Sequence, residues 1–389
     1  MKDIYLDNSA TTALCEAAKN AIAQTMDCYG NPSSLHPIGQ TARAIVENAR
    51  REIAATLGVR STLAPGQLVF TACGSEADNL AILGTAYAKE RRRGGKIVTT
   101  DSEHPGVESA MCALEKDGFE VIRIPTRDGI LDFDAYEAAL AKNPFLVSIM
   151  AVNNETGAMY DIKRAFAMAK AKNPDIVTHT DAVQGYLKMR LSPTTLDADM
   201  VTLSAHKIYA PKGVGALYVS PMALKRRDYV PTLLGGGQEG GFRSGTENVL
   251  GIAAFGAAAK DGHANLSAEL PRLTELRNYA EQRLSALPVK LHLPQGGRAP
   301  HILNFALPDI KSETMVHELS KSGICVSGGS ACSTHSKSLS RALLAFGVPE
   351  REVECSIRVS LGRYNTHEDI DALCDALKNA LEHLVRIHR

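Results

Sequence analysis

The chain has 389 residues, of which 44% are hydrophobic and 22% are charged. This composition is typical of a soluble globular protein and excludes a disordered or low-complexity chain. Lys+Arg and Asp+Glu both total 43, so the formal net charge is zero and no overall field attracts nucleic acid or an anionic membrane. We therefore expect a small-molecule partner and, at about 100–200 residues per domain, two domains.

The sequence lacks the usual signs of export, membrane insertion and metal binding. No secretion signal is evident, and no window approaches the ~18 consecutive apolar residues of a membrane span. We therefore expect a cytoplasmic protein. The eight cysteines form no C-x-x-C pair, which argues against a zinc site and a disulfide framework, so no metal is expected.

Amphipathic segments alternate with short apolar runs over the first half of the chain. Apolar spacing predicts a helix over 40–57. Runs rich in β-branched residues predict buried strands of a mostly parallel sheet. These runs are 68–71, 97–100, 121–124, 146–151, 176–180 and 200–203. The alternation predicts a doubly wound α/β fold, whose ligands bind at the carboxyl ends of the strands.

The sheet is predicted to be mixed, because the segment between the runs 200–203 and 215–219 is too short for a helical crossover. A long helical stretch follows from 248 to 287, with an interruption expected around Gly262. Beyond it, strands and helices are predicted for a second, α+β region. These are strands at 302–305, 324–327 and 356–360 and a helix over 369–384.

We predict a large domain over 16–258. The small domain is formed by 1–15 and 259–389.

Polar residues cluster where two predicted strands end. Asp181 and Gln184 follow one strand, and Ser204, His206 and Lys207 follow the next. Pyridoxal phosphate requires such a set, because a lysine binds its aldehyde covalently while a carboxylate keeps its pyridine nitrogen protonated. An ordinary Lys–Asp ion pair is the alternative.

A phosphate group could bind where a predicted strand meets a helix, in T-A-C-G-S-E (71–76). Free backbone N–H groups and the helix dipole favour an anion at Gly74 and Ser75, although Ser75 could be only a helix cap. No G-x-x-x-x-G-K-[ST] motif occurs, and no G-x-G-x-x-G follows a strand, so nucleotide binding loses its main support.

Two further polar residues lie at the same predicted edge of the sheet. Asn154 could contact a ring hydroxyl or merely form a turn. His104 could stack on an aromatic ring or move protons, or it could be a loop residue bonded to backbone.

The predicted small domain contains a stretch of small residues, 326–338, with one thiol at Cys332. A cysteine in an accessible polar loop can attack as a thiolate, although an incidental loop cysteine is the alternative. Arg358 lies within a predicted strand, where a substrate carboxylate would be a natural partner.

Taken together, these motifs resemble the cysteine desulfurases of the class V aminotransferase-like pyridoxal phosphate enzymes, in the long-loop group related to nitrogen-fixation and iron–sulfur-cluster desulfurases. The resemblance runs nearly end to end. It is carried by Y-L-D-N-S-A-T-T (5–12), G-N-P-S-S-L-H (30–36), T-A-C-G-S-E-A-D-N (71–79), S-E-H (102–104), V-N-N-E-T-G (152–157), H-T-D-A-V-Q (179–184), S-A-H-K-I-Y-A-P-K-G (204–213), R-S-G-T (243–246), G-S-A-C-S (329–333) and S-I-R-V-S-L-G-R (356–363). It implies the fold of the type I pyridoxal phosphate enzymes.

The resemblance assigns roles around the cofactor ring. Lys207 would bind the cofactor covalently and move the substrate α-proton, and Asp181 would pair with the ring nitrogen. Gln184 and Asn154 would contact the ring hydroxyl, and His104 would stack on the ring and assist proton transfer.

The phosphate would be held by Ser75, Ser204 and His206, together with Gly74 at the helix start. Thr246 would join them from a second subunit. The resemblance therefore implies a homodimer.

The same resemblance implies the chemistry. Arg358, with Asn154, would bind L-cysteine, and Cys332 would attack its sulfur to leave an enzyme persulfide and release alanine. The sulfur acceptor stays open between an iron–sulfur scaffold, a transfer-RNA thiolation protein and another partner, because the chain stops soon after its last predicted helix. Transamination, selenocysteine lysis and a sulfur-relay protein without catalysis are the alternatives; the first would not need Cys332.

Overall fold

The structure is a computed structural model that describes residues 3–59, 62–89, 92–329 and 339–384. Its helices in these ranges are α1 (Glu16–Thr25), α2 (Pro37–Thr56), α3 (Gly74–Tyr87), α4 (Pro105–Lys116), α5 (Phe133–Leu140), α6 (Ile162–Lys172), α7 (Pro193–Leu196), α8 (Pro221–Arg226), α9 (Val249–Ser285), α10 (Ser312–Lys321), α11 (Arg341–Phe346), α12 (Glu350–Val353) and α13 (His367–His383). Within the same ranges, no helix is long and apolar enough to cross a membrane.

The strands are short, and most belong to two sheets. They are β1 (Ile4–Tyr5), β2 (Leu68–Thr71), β3 (Lys96–Thr100), β4 (Glu120–Ile124), β5 (Leu146–Ser148), β6 (Ala158–Met159), β7 (Val177–Asp181), β8 (Met200–Ser204), β9 (Gly215–Val219), β10 (Lys290–Leu291), β11 (Gly297–Arg298), β12 (Ile302–Ala306), β13 (Ile324–Cys325), β14 (Ser327–Gly328) and β15 (Ser356–Ser360).

The larger sheet has the order β2-β9-β8-β7-β5-β3-β4. Strand β9 is antiparallel to both β2 and β8, and the other neighbours are parallel. This confirms the predicted mixed, mostly parallel sheet of an α/β protein, including the antiparallel pair that follows from the short connection.

Both faces of this sheet are covered by apolar side chains. Ile97 and Leu146 pack into a cluster with α3 and α4, whereas the next residues, Val98 and Val147, pack on the opposite face with α2, α6 and α9. Successive side chains of a strand point to opposite faces, so a strand buried on both sides needs a continuous apolar run. The carboxyl ends of all its strands except β9 lie along one edge of this sheet.

A second, antiparallel sheet has the order β10-β12-β15-β14. It packs into its own apolar cluster with α10, α13 and the far half of α9. The N-terminal residues join this region, because β1 pairs with β13 and Leu6 is buried in the same cluster. The predicted division into 16–258 and the remainder stays a prediction, since its boundary falls inside α9.

The predicted interruption at Gly262 is wrong, because α9 runs without a break through this residue and has Pro271 in its interior. A Cβ at position 262 would come within 2.9 Å of Leu187 Cδ1. Gly262 thus permits close packing of α9 against Leu187 and does not end the helix.

Candidate active site

A cavity of about 380 Å³ lies at the carboxyl edge of the large sheet, where it meets the second sheet. Most of the residues singled out in the sequence line it. They are Gly74, Ser75, His104, Asn154, Asp181, Gln184, Ser204, His206, Lys207 and Arg358. Strand ends bring these distant segments together, as expected for a doubly wound sheet.

Two predicted site residues are not placed in this cavity. Thr246 lines a separate cavity of about 120 Å³ beside Arg243. Cys332 lies outside the described residues, so its predicted position is not tested. A wider groove of about 750 Å³ along α9 contains none of the predicted site residues.

Asp181 is the last residue of β7, and Lys207 follows the neighbouring parallel strand β8. The two side chains interact electrostatically within the cavity. The Lys207 Nζ donates to the carbonyl oxygens of Ser9 and Ala10, at 2.5 and 2.8 Å. Asp181 is only 5% exposed, and its Oδ1 accepts from the backbone N–H of Val183 at 2.8 Å. Burial raises the pKa of Asp181, while His104 and Lys207 oppose that rise.

His104 caps the start of α4 and faces Asp181. Its Nδ1 accepts from the backbone N–H of Gly106 at 3.0 Å. Burial lowers the pKa of His104, so the ring is held neutral, and the accepting role of Nδ1 assigns the proton to Nε2. A ring nitrogen of His104 and one carboxylate oxygen each of Asp78 and Asp181 lie within 4.8 Å of one another.

Three carboxyl groups are buried around this point. Burial, followed by the charge of Asp181, raises the pKa of Asp78 well above its usual value. Burial also raises the pKa of Glu103 to about 8, although its Oε1 accepts from the Met150 N–H and the Thr100 hydroxyl. Burial therefore favours the neutral forms of these carboxyl groups over their charged forms.

The helix start at Gly74 forms a cradle suited to an anion. Helix α3 follows β2 through Cys73, and the first N–H groups of a helix have no partner within it. The Ser204 Oγ lies 3.9 Å from the position that a Gly74 Cβ would occupy. Ser204 is 2% exposed, and its hydroxyl has no hydrogen-bond partner among the described residues. Such a buried hydroxyl indicates a missing ligand.

Gln184 and His206 present polar atoms to the same cavity. The Gln184 Nε2 donates to the Ser9 carbonyl at 2.9 Å, while its buried Oε1 has no partner in the described part of the chain. The His206 Nδ1 lies 3.2 Å from the Thr11 hydroxyl. Burial and the nearby Lys207 lower the pKa of His206 to about 4, so this ring is neutral near pH 7.

Arg358 reaches the cavity from β15 of the second sheet. Its Nη2 donates to Asp7 Oδ1 at 2.7 Å and to Ser327 Oγ at 3.1 Å, and its Nη1 donates to the Asn154 carbonyl at 3.0 Å. Its buried Nε has no partner within the described ranges. The guanidinium is therefore fixed in place with donor capacity left for a ligand.

Several residues of the cavity wall were not predicted from the sequence. Asp7, Ser9 and Ala10 come from the N-terminal segment, and Cys73 and Asp78 flank the cradle. All five lie within the motifs Y-L-D-N-S-A-T-T and T-A-C-G-S-E-A-D-N, so the motifs were noticed but these side chains were given no role.

Residues 4–373 match the aminotransferase class-V family. The chain belongs to this family, and its mixed α/β architecture is that of the fold type I enzymes.

Relatives define the branch of the family. The chain is 39% identical to the cysteine desulfurase IscS of Dictyoglomus turgidum, over 98% of this chain and 95% of that protein. It is 40% identical to a cysteine desulfurase of Nostoc, over 99% and 94% of the two chains. These relatives confirm the prediction from the sequence that the chain is an enzyme of the cysteine desulfurase group.

Solved structures agree with this assignment. A NifS-like protein superposes with a TM-score of 0.90 at 33% identity, covering 98% of this chain and all of that one. SspA, solved in complex with cysteine, superposes with a TM-score of 0.76 at 30% identity, covering 93% and 99% of the two chains.

Proposed function

We propose that this chain is a pyridoxal phosphate-dependent cysteine desulfurase, which converts L-cysteine to L-alanine and leaves the sulfur as a persulfide on Cys332. The observation that carries the proposal is the convergence of Lys207, Asp181 and His104 in one buried cavity with Arg358 in its wall. The full-length similarity to curated cysteine desulfurases supports the same activity.

The residues present fit pyridoxal phosphate. The partnerless Ser204 hydroxyl beside the start of α3 suits a phosphate, and the partnerless Gln184 Oε1 suits a ring hydroxyl. Gly74, Ser75 and His206 would complete the phosphate site, and Asn154 would contact the ring hydroxyl. When bound, the cofactor supplies an electron-withdrawing ring that stabilises negative charge on the substrate carbon.

Lys207, Asp181 and His104 would then act from fixed positions. Lys207 would hold the cofactor and move the substrate α-proton through Nζ. Asp181 would keep the pyridine nitrogen protonated, because its carboxylate accepts that hydrogen bond in a dry environment. His104 would stack on the ring, with its Nε2–H available for proton transfer.

Arg358 would bind the substrate carboxylate, with Asn154 beside it. Two guanidinium N–H groups aimed at one carboxylate fix its orientation as well as its position. With its carboxylate held at Arg358, the substrate would lie in the same cavity as Lys207.

Sulfur transfer requires a nucleophile, which we assign to Cys332. Its thiolate would attack the substrate sulfur, so that an S–S bond forms and the C–S bond breaks with its electron pair left on carbon. A proton delivered by Lys207 or His104 then completes L-alanine. The persulfide would pass to an acceptor in the cytoplasm, such as an iron–sulfur scaffold or a transfer-RNA thiolation protein.

We further propose a homodimer in which Thr246 reaches the phosphate site of the neighbouring subunit. Thr246 lines a separate cavity beside Arg243 and not the active-site cavity of its own subunit, which supports this arrangement. The large domain, 16–258, would bind the cofactor, and the small domain, 1–15 with 259–389, would carry Cys332.

The test is to incubate the holoenzyme with L-cysteine and a reducing thiol and to measure sulfide and alanine together. Equal amounts from the wild type, with both lost in Cys332→Ala and both retained in Cys28→Ala, are expected. Undiminished activity of Cys332→Ala would overturn the role of this thiol, and absence of both products from the wild type would overturn the activity.

A further inference from the structure

A second thiol, Cys73, lines the cavity at the phosphate cradle. Cys73 is exposed, whereas the other described cysteines are buried or half-buried. It occupies the position before the first residue of α3, and its side chain makes no capping hydrogen bond to the helix. No step of the proposed desulfurase chemistry uses it.

Cys73 lines the same cavity as the buried acid Asp78. Burial and the charge of Asp181 are the main causes of the raised pKa of Asp78, and Cys73 adds to them through its own electrostatic interaction with Asp78. The backbone of Cys73 is fixed, because a Cβ at Gly215 would come within 2.6 Å of its carbonyl carbon. The Cys73 backbone therefore holds a fixed place in the cavity wall, and its exposed side chain is accessible to a reagent.

The start of α3, next to Cys73, is closely packed. The partnerless hydroxyl of Ser204, 98% buried, lies next to Gly74 in the same cradle. A single Cβ on Gly74 would come within 2.9 Å of Val183 Cγ2. A group attached to Cys73 would thus compete with a phosphate for the first turn of α3.

We propose that Cys73 is a thiol–disulfide exchange site whose adduct blocks the phosphate cradle, so that cofactor loading depends on the redox state of this cysteine. The Cys73 thiolate attacks one sulfur of a small disulfide, a new S–S bond forms to Cys73, and the other half leaves as a thiolate. A reducing thiol reverses the exchange. The inference rests on the proposed function, because it requires pyridoxal phosphate at this cradle.

The experiment uses the full chain, with and without cofactor, in a Cys332→Ala background that removes the other reactive thiol. The probe is 4,4′-dithiodipyridine, with peptide mapping of the adducts by mass spectrometry. We expect Cys73 to be labelled, prior loading with pyridoxal phosphate to slow this labelling about tenfold, and Cys28 labelling to stay unchanged. We also expect the adduct to bind pyridoxal phosphate at least about tenfold more weakly, and a reducing thiol to restore binding.

The control is Cys73→Ser, compared before and after treatment. Its affinity for pyridoxal phosphate is expected to be the same in both states, while Cys28→Ser remains sensitive. Failure of Cys73 to label, equal labelling with and without cofactor, or normal cofactor binding by the adduct would overturn the inference alone. Failure of the reduced chain to bind pyridoxal phosphate would overturn the proposed function, and the inference with it.

Discussion

The Asp7 carboxylate lies 2.7 Å from the Arg358 guanidinium, measured from Oδ1 to Nη2. These residues come from β15 and from the N-terminal segment next to β1, and they meet at the wall of the cavity. Asp7 orients the arginine, but its negative charge also competes with any carboxylate that approaches. Substrate affinity is therefore a balance between positioning and charge.

Replacing Asp7 by Asn separates these two effects. The amide oxygen of Asp7→Asn would keep a hydrogen-bond acceptor for the buried Arg358. The substitution removes the competing charge, which is worth roughly 1 kcal/mol even with solvent screening at the 17%-exposed Asp7 side chain. We expect the KM for L-cysteine to fall about fivefold in Asp7→Asn, with kcat little changed. Steady-state kinetics with L-cysteine measures both constants. The comparison variant is Arg358→Lys, for which the KM should rise. An unchanged KM in Asp7→Asn would show that the carboxylate does not compete.

Covalent attachment of the cofactor should map to Lys207 alone. A competing amine nearby is that of Lys188, whose Nζ donates to the Lys207 carbonyl at 2.6 Å. Burial lowers the pKa of Lys188 to about 7. Reduction with borohydride and peptide mapping should place the label on Lys207 and eliminate it in Lys207→Ala. Lys188→Met should retain the label at Lys207; a label on Lys188 in the wild type would contradict the assignment.

The best-predicted elements are those whose structure is determined by a local sequence pattern. Strands β2, β9 and β15 have the predicted bounds. The first two are short apolar runs buried along their whole length, and β15 alternates the apolar Ile357 and Val359 with polar residues. Both patterns are typical of a strand. Gly262 was misread, since its packing partner Leu187 is distant in the chain.

In the candidate site, too, some features could be predicted from the sequence and others could not. Residues at strand ends converge by topology, so Asp181 and Lys207 could be placed together before the structure. The Asp7–Arg358 contact spans 351 positions of the chain, and no local pattern specifies such a pair.

Glu103 should make the cofactor-free protein less stable as pH rises. Its pKa is about 8 in the folded chain and near 4.5 when exposed, so between these values the folded state holds a proton that the unfolded state has lost. The free energy of unfolding should fall across this window by up to about 1.4 kcal/mol per pH unit.

Glu103→Gln should flatten that slope, because the amide keeps the acceptor for Met150 and has no charge to bury. Denaturant unfolding between about pH 5 and 8 measures it, with the exposed Glu137→Gln as a matched control that leaves the slope intact. Equal slopes in the wild type and Glu103→Gln would refute the prediction.

Ser204→Ala should have opposite effects with and without cofactor. In the cofactor-free protein it removes a buried hydroxyl that has no partner, so stability should stay the same or rise. With cofactor it removes a phosphate donor, and affinity should fall about tenfold. Thermal unfolding and equilibrium dialysis measure the two effects.

The contrasting control for Ser204 is Ser220→Ala. Ser220 caps α8 through the Ala223 N–H at 3.1 Å, so its loss should cost about 1 kcal/mol of stability in both states. A large loss of cofactor-free stability in Ser204→Ala would mean that its hydroxyl has a structural role.

If each active site uses residues of both subunits, two inactive variants should restore activity when they are combined in one dimer. If Thr246 serves the neighbouring site, a mixed dimer of Lys207→Ala and Thr246→Ala subunits contains one site with both residues intact. Co-expressed subunits with different tags should regain about half of the wild-type activity, although each variant alone is impaired. Mixed dimers no more active than the parents would place Thr246 in its own subunit's site.

Helix α9 belongs to both apolar clusters of the protein. Its first half, including Ile252 and Phe255, packs under the large sheet, and its second half, including Leu276 and Leu284, packs with the antiparallel sheet. At about 1.5 Å per residue, its 37 residues extend ~55 Å. Because one continuous helix contributes to both clusters, unfolding of either half would weaken the packing of the other. Heating should therefore unfold both cores in one cooperative transition.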